Sequence, residues 1–268
     1  MAEPVAGGSW RGHVVPEERR RLILTMLQER GSVTIAALEN EFGISPMTAR
    51  RDLTLLAQAG RVRRTHGGGV LPEFAAHEDS FRHRLDEDVD EKRRLAAAIA
   101  ATVEPSESIF VDSSSTSYRF VEAVLKRGVA VTLLTNSLPV MDLVGSSETL
   151  NVILVGLGGS FRKLTRSFVG SDTIRAIDGY YADRVVFSVK GISNEGHLTD
   201  PDAPEADVKR AMIQHAATVV LAATSRKFDT RALNVIVPAH SVSRAYLAEP
   251  PLAGLRLLEA VGVDIRLV

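Results

Sequence analysis

Gly43-Ile44-Ser45-Pro46-Met47-Thr48-Ala49-Arg50-Arg51-Asp52-Leu53-Thr54-Leu55-Leu56 is the stretch on which the reading of the N-terminal part of the chain turns. Ser45 suits the N-cap of a helix, where its hydroxyl can accept from an orphan backbone N–H, and Pro46 suits the first helical position, where its missing N–H costs nothing. The spacing of Ala49, Leu53 and Leu56 predicts one apolar face for a helix over 47–58, which leaves Thr48, Arg50, Arg51 and Thr54 off that face. Upstream, Thr34 can cap a short helix with Ile35, Leu38 and Phe42 inward, ended by Gly43. Only Gly43-Ile44-Ser45 separates the two helices, the spacing of a helix-turn-helix. Before them, Pro16–Arg30 carries Leu22, Ile23, Met26 and Leu27 on one face, Glu17 and Glu18 in the first turn, and Gly31 as a stop.

Downstream lies Arg61-Val62-Arg63-Arg64-Thr65-His66-Gly67-Gly68-Gly69, a basic stretch followed by glycines that suits a β-wing lying along a phosphate backbone. Residues 1–70 hold ten arginines against seven acids, a net charge of +3 in a chain whose total is −1. Within 48–66 the balance is five arginines to one acid, a local basic cluster. The candidate DNA contacts are Ser45, Thr48, Arg50 and Arg51 on the helix, where arginine can be bidentate to guanine. On the wing they are Arg61, Arg63, Arg64, Thr65 and His66. A solvated helix face beside a loop is the plain alternative for any one arginine, but caps, turn, cluster and wing together favour DNA. His66 alone reads equally well as a simply exposed histidine.

Composition sets the remaining bounds. A length of 268 residues with 45% hydrophobic and 24% charged residues is ordinary globular usage and predicts two domains of unequal size. No apolar run approaches the roughly 20 residues of a spanning helix. Met1–Trp10 lacks the basic start and apolar run of a secretion signal, so a cytoplasmic location is expected. Zero cysteines and seven scattered histidines leave no thiolate, disulfide or recognisable metal site, and no cofactor is expected. The expected organisation is a flexible tail over 1–15, a winged helix-turn-helix over 16–71, a polar linker over 72–90 and an α/β domain over 91–268.

From residue 108 the chain alternates β-branched runs with helical segments: 108–111, 129–134, 151–155, 185–189, 218–221 and 235–237. This predicts a mostly parallel sheet covered on both faces, with ligands at the carboxyl ends of its strands. The loops expected at that edge are Asp112-Ser113-Ser114-Ser115-Thr116, Thr135-Asn136-Ser137, Gly156-Leu157-Gly158-Gly159-Ser160, Lys190-Gly191-Ile192 and Thr224-Ser225-Arg226-Lys227-Phe228. Serine, threonine and glycine are also the usual residues of caps and turns, so each loop is weak evidence singly. Together they offer hydroxyls, backbone N–H groups and a helix N-terminus to an anionic, polyhydroxylated ligand. Asp112 reads as an acceptor for a sugar hydroxyl or an anchor for the turn. Lys190, Lys209 and Lys227 are three of six lysines. Lys209 stands four residues after Glu205, so an i,i+4 helix pair competes with a ligand role, and Asp202-Ala203-Pro204-Glu205 reads as a capping box.

With those residues in view, the chain resembles the DeoR family of sugar-metabolism regulators from about residue 16 to 268. The resemblance is carried by Arg50-Arg51-Asp52-Leu53, Arg63-Arg64-Thr65-His66-Gly67-Gly68, Thr135-Asn136-Ser137, Gly158-Gly159 with Arg162, and Glu205-Ala206 with Lys209. It implies a sensor domain similar to ribose-5-phosphate isomerase and glucosamine-6-phosphate deaminase, used for binding rather than turnover. It also implies repression relieved by a sugar phosphate. Three positions depart from the family's pattern. Ser114 stands where a glycine is common, Lys190 stands where an aspartate is frequent before Gly-Ile, and the Thr224–Phe228 loop carries an additional arginine.

The expected partners are therefore double-stranded operator DNA, a phosphorylated sugar and a second copy of the chain, as a homodimer or higher homo-oligomer, with no membrane. The first alternative is an isomerase or aminosugar-phosphate deaminase bearing a DNA-binding domain, with Asp112, His197, Asp200 and Glu205 as candidate acid–base groups, although none forms a pair at catalytic spacing. The second is a constitutive DNA-binding protein whose sheet only oligomerises.

Overall fold

The computed structural model describes residues 14–30, 32–59, 61–65, 67–70, 80–228 and 230–268. The chain divides into two compact units, Met1–His83 and Arg84–Val268.

In the first unit, helix α1 (Pro16–Arg30) is followed by strand β1 (Ser32–Thr34), helix α2 (Ile35–Phe42), helix α3 (Pro46–Gln58) and strands β2 (Arg63–Thr65) and β3 (Gly68–Val70). The caps form as the side chains dictate: Thr34 Oγ1 accepts from Ala37 N at 3.1 Å and Ser45 Oγ from Thr48 N at 3.2 Å. Ile23, Met26, Leu27, Leu38, Phe42, Ala49, Leu53 and Leu56 make one core, joined by Val33 and Val62. The three strands pair antiparallel in the order β1-β3-β2. Gly68 is required there, since a Cβ on it would overlap the carbonyl of Val33 on the adjacent strand.

The boundary between the units falls within helix α4 (Phe81–Asp86), which is followed by α5 (Val89–Ala101). Residues 81–86 are thus helical within the segment read as a linker. The strands and helices then alternate: β4 (Ser108–Val111), α6 (Ser115–Arg127), β5 (Val131–Thr135), α7 (Leu138–Gly145), β6 (Val152–Gly156), a hairpin of β7 (Ser160–Arg162) and β8 (Ser167–Val169), α8 (Ser171–Asp178) and β9 (Ala182–Phe187). They continue with β10 (Gly191–Ile192), β11 (His197–Asp200), α9 (Ala203–Gln214), β12 (Ala216–Ala223), β13 (Asn234–Pro238), β14 (Arg244–Leu247), α10 (Leu252–Ala260) and β15 (Asp264–Leu267).

Seven strands form one parallel sheet in the order β15-β14-β12-β9-β4-β5-β6. Alternate residues enter opposite layers, as the two-residue period of a strand requires. Phe110, Leu134, Val185 and Phe187 pack with residues of α8, α9 and α10, while Ile109, Val111, Leu133 and Val186 pack with α5, α6 and α7. One expected strand lies elsewhere. Val235–Val237 belong to β13, which pairs antiparallel with β11 in a separate small sheet. Its place in the parallel sheet is taken by β14 and β15, which the apolar-run criterion overlooked because Arg244, Asp264 and Arg266 interrupt them. The first strand of the sheet, β4, has β5 and β6 on one side and β9, β12, β14 and β15 on the other. The chain therefore reverses direction across the sheet between β4 and β9, and a crevice opens at the carboxyl ends of such a pair.

Candidate functional site

In the first unit α3 presents Arg50 and Arg51 to solvent, with Ser45 exposed and Thr48 half-buried at its N-terminal end. Ser45 and Thr48 hydroxyls lie 3.0 Å apart. The one acid of the basic cluster turns inward: Asp52 is buried and accepts from Arg19 at 2.6 Å and Arg20 at 3.4 Å, clamping α3 to α1. The exposed face keeps its arginines without that acid. Arg61 and Arg64 are exposed, and Arg64 Nη1 donates to Thr54 Oγ1 at 2.6 Å and to the Arg50 carbonyl at 3.3 Å. β2 is thereby tied to α3. His66 and the side chains of Arg63 and Thr65 lie outside the described residues.

In the second unit all five expected loops follow the carboxyl ends of neighbouring strands, β6, β5, β4, β9 and β12. At the switch point Asp112 ties the chain after β4 to the chain after β9. Its Oδ1 accepts from Ser114 N at 3.2 Å and Ser114 Oγ at 2.7 Å, and its Oδ2 from Ser188 N at 3.3 Å. Lys209 Nζ reaches the same Oδ2 at 3.3 Å, Asp200 Oδ2 at 2.8 Å and the Ser188 carbonyl at 2.8 Å. Burial opposes the charge on Lys209, but Asp200 and Asp112 outweigh it and hold the ammonium above its ordinary range. Burial likewise opposes the charge on Asp200, and Lys209 outweighs it, holding the carboxyl below its ordinary range.

The i,i+4 ion pair between Glu205 and Lys209 does not form. Glu205 instead accepts from Ser113 Oγ at 2.9 Å and from Ser167 Oγ, with Thr165 Oγ1 2.7 Å from Ser167 Oγ. The capping box is therefore only half made: Asp202 accepts from Glu205 N at 3.1 Å, but the Glu205 carboxylate is spent on two buried hydroxyls. Arg162, from β7, pairs with Asp202 at 3.1 Å and donates to Thr165 at 3.4 Å. Asp112, Ser113, Arg162, Glu205 and Lys209 thus belong to one buried polar network running from the switch point to the β7–β8 hairpin.

Most hydroxyls expected to face a ligand are used inside the protein. Ser114 caps α6, Thr135 Oγ1 donates to the Val111 carbonyl at 2.7 Å, and Ser137 caps α7. Asn136 donates from Nδ2 to the Phe168 carbonyl at 2.8 Å, while its buried Oδ1 has no partner among the described residues. Gly158 and Gly159 are exposed. Gly191 is buried where a Cβ would overlap the Thr230 carbonyl, so glycine lets β10 and the following loop meet.

The free ends concentrate at the start of α6. Ser115 and Thr116 are its first residues, whose backbone N–H groups have no intrahelical acceptor. Ser115 Oγ donates to the Arg84 carbonyl at 3.1 Å, and buried Lys92 of α5 donates to that same carbonyl and to the Glu87 carbonyl. Burial pulls the Lys92 ammonium down to about 8 against the opposing pull of Asp88 and Glu87. Half-buried Lys227 is drawn down to about 7, first by burial and then by repulsion from Lys92, Lys190 and Arg84. Lys190 is also half-buried.

Lys92, Ser167 and Ser188 escaped the reading of the sequence, and Asp200, read only as a candidate acid–base group, is instead a partner of Lys209. For Lys92 a signal existed: it stands on the stripe of Leu95, Ala96 and Ile99, as Asp52 stands on that of Ala49, Leu53 and Leu56. A charge on an apolar stripe is buried with a partner.

A family model described as the DeoR C terminal sensor domain matches residues 87–245, more than half of the chain. The chain belongs to the DeoR family. A DeoR-like helix-turn-helix domain matches residues 19–74. Among DeoR-type relatives, the glycerol-3-phosphate regulon repressor of Escherichia coli (strain K12) is 27% identical over 93% of this chain and 98% of its own length. The HTH-type transcriptional repressor GlcR of Bacillus subtilis (strain 168) is 32% identical over 80% of this chain and 81% of its own. The structure is also similar to ribose 5 phosphate isomerase A from Neisseria gonorrhoeae, with a TM-score of 0.39 and 15% identity over 54% of this chain and 55% of that one. With both DeoR modules on one chain, the protein is a DNA-binding transcriptional regulator with a sensor domain.

Proposed function

We propose that residues 16–71 bind operator DNA through Arg50, Arg51 and the wing, and that residues 91–268 bind a phosphorylated sugar that weakens this binding, so that the protein represses genes of carbohydrate use. The observation that carries the ligand class is the cation cluster beside the α6 N-terminus. Lys92, Lys190 and Lys227 stand together near the first turn of α6, and burial, joined by repulsion from the other cations, pulls Lys227 down to about 7. A phosphate relieves that repulsion and accepts charge-assisted hydrogen bonds, and a neutral sugar does neither. Buried Asn136 Oδ1 is an acceptor for a sugar hydroxyl.

Binding without turnover is supported by the state of the carboxylates. Both oxygens of Glu205 accept serine hydroxyls, and Asp112 and Asp200 share Lys209, so each is committed within the protein rather than poised over a ring. His197 is exposed on β11. Pairing of two chains on two half-sites is supported by the small footprint of one helix-turn-helix.

The test combines melting temperature with operator affinity at one salt concentration, using sugar phosphates and the corresponding free sugars. A phosphorylated sugar raises the melting temperature and weakens operator binding, and its free form does neither. Equal stabilisation by both forms would refute the phosphate reading. Stabilisation without any loss of DNA affinity would refute the release mechanism.

A further inference from the structure

The second unit begins at Arg84, and its first residues are fastened by the same groups to which the preceding section gives the ligand's phosphate. Ser115 Oγ and Lys92 Nζ both donate to the Arg84 carbonyl, so the first residue of α6 and the buried cation of α5 meet on one backbone oxygen. Lys92 also holds the Glu87 carbonyl. From the loop after β12, Thr224 Oγ1 donates to Asp88 Oδ2 at 3.1 Å, and Arg226 pairs with Glu87 at 3.0 Å and Asp88 at 3.6 Å. Asp88 is left-handed at φ +47°, a conformation that a non-glycine residue keeps where its surroundings fix it.

We infer that Arg84–Asp88 is a latch at the entry to the second unit: Ser115 and Lys92 hold the Arg84 carbonyl in the ligand-free protein, and a bound phosphate takes the Ser115 hydroxyl, shares Lys92 and loosens the segment. The inference rests on the phosphate reading above. A hydroxyl has one proton to give, so Ser115 cannot serve the carbonyl and a phosphate oxygen together. The charged oxygen is the stronger acceptor and takes it. Lys92 keeps its charge beside a dianion and turns the donor left over from the Arg84 and Glu87 carbonyls to the phosphate.

Limited trypsin digestion of the full chain tests this, reading cleavage after Arg84 by mass spectrometry, with inorganic phosphate as the probe and chloride at equal ionic strength as the control. Wild type is cut slowly after Arg84 without phosphate and several-fold faster with it. Ser115→Ala is cut fast under both conditions, while cleavage after Lys126 in α6 stays slow, showing that the sheet domain remains folded. Lys92→Met, which removes the other donor, shifts cleavage the same way. Phosphate that raises the melting temperature of wild type yet leaves cleavage after Arg84 unchanged overturns the latch, whatever Ser115→Ala does. Phosphate that alters neither quantity overturns the ligand site itself, and the latch with it, so the melting temperature tells the two failures apart.

Discussion

Lys209 Nζ lies 3.3 Å from Asp112 Oδ2, which ties the cation of α9 to the loop after the first strand of the parallel sheet. The same ammonium holds Asp200 at 2.8 Å, and all three side chains are buried. One cation thus faces two carboxylates at the switch point, and donors from Ser114 and Ser188 offset the remaining cost of burying Asp112.

Replacing Lys209 with methionine therefore leaves two buried carboxylates uncompensated and costs about 3–5 kcal/mol of stability, measured by urea denaturation at neutral pH. Its pH dependence has a definite sign. Asp200 is held below its ordinary 3.8, so its contribution is present above that value and lost as pH falls through the folded value. Lys209 is held above its ordinary 10.5, so its contribution is present below that value and lost only as pH rises through the higher folded one. Wild type and variant accordingly differ most between those limits and converge in acid. A loss below about 1 kcal/mol, the value of a helix-surface pair, contradicts the network.

Asp52→Ala acts on folding, not on contact with DNA. It strands Arg19, which is 8% exposed and bonded to Asp52 at 2.6 Å, and loosens α3 from α1. We expect a loss of roughly 3 kcal/mol in the stability of the winged unit, with operator affinity falling although the cluster becomes more positive. Tighter binding in the variant would mean that Asp52 faces DNA.

Arg50→Ala and Arg51→Ala remove exposed groups without touching Leu53 or Leu56. If either reads a base edge, operator affinity falls by about 1–3 kcal/mol and sequence preference relaxes. Arg61→Ala, on the approach to the wing, instead weakens all DNA alike and lowers the salt slope by about 1. Gel-shift titrations on operator and scrambled duplexes at two salt concentrations separate the two roles. Unchanged operator binding in both helix variants would remove α3 from the interface.

Lys227 gives the proposed ligand site a pH signature. Its folded value of about 7 is below the ordinary 10.5, so in the ligand-free chain the unfolded state binds the extra proton and stability rises with pH between those values. A bound dianion favours the charged form, so binding takes up a proton and affinity falls as pH rises above about 7. Calorimetry at pH 8 in two buffers of different ionisation enthalpy reports that uptake directly. Lys227→Met lowers the uptake and leaves the share belonging to Lys92, which titrates near 8. Equal uptake in wild type and variant would separate Lys227 from the phosphate.

The order of helices in the first unit and the run of strands in the second were legible in the sequence because both rest on contacts near in the chain. Ser45 meets Thr48, Thr34 meets Ala37, and the three- and four-residue steps of Ala49, Leu53 and Leu56 mark a buried stripe whatever it packs against. The same rule extends to Lys92 and Asp52, whose stripes declared their burial but not their partners. Partner choice was decided by topology. Lys209 has Glu205 one turn away, yet it binds Asp112 and Asp200 because the strand order brings the ends of β4, β9 and β11 around it, where two desolvated carboxylates need a cation more than Glu205 does, with two hydroxyls of its own. Val235–Val237 carry the residues of a strand, but periodicity names no neighbour, and only the packed chain sends them to β11 and brings β14 and β15 into the parallel sheet. Sequence periodicity records which side chains leave water. What each of them meets there depends on contacts between residues far apart in the chain, and those exist only once the sheet has formed.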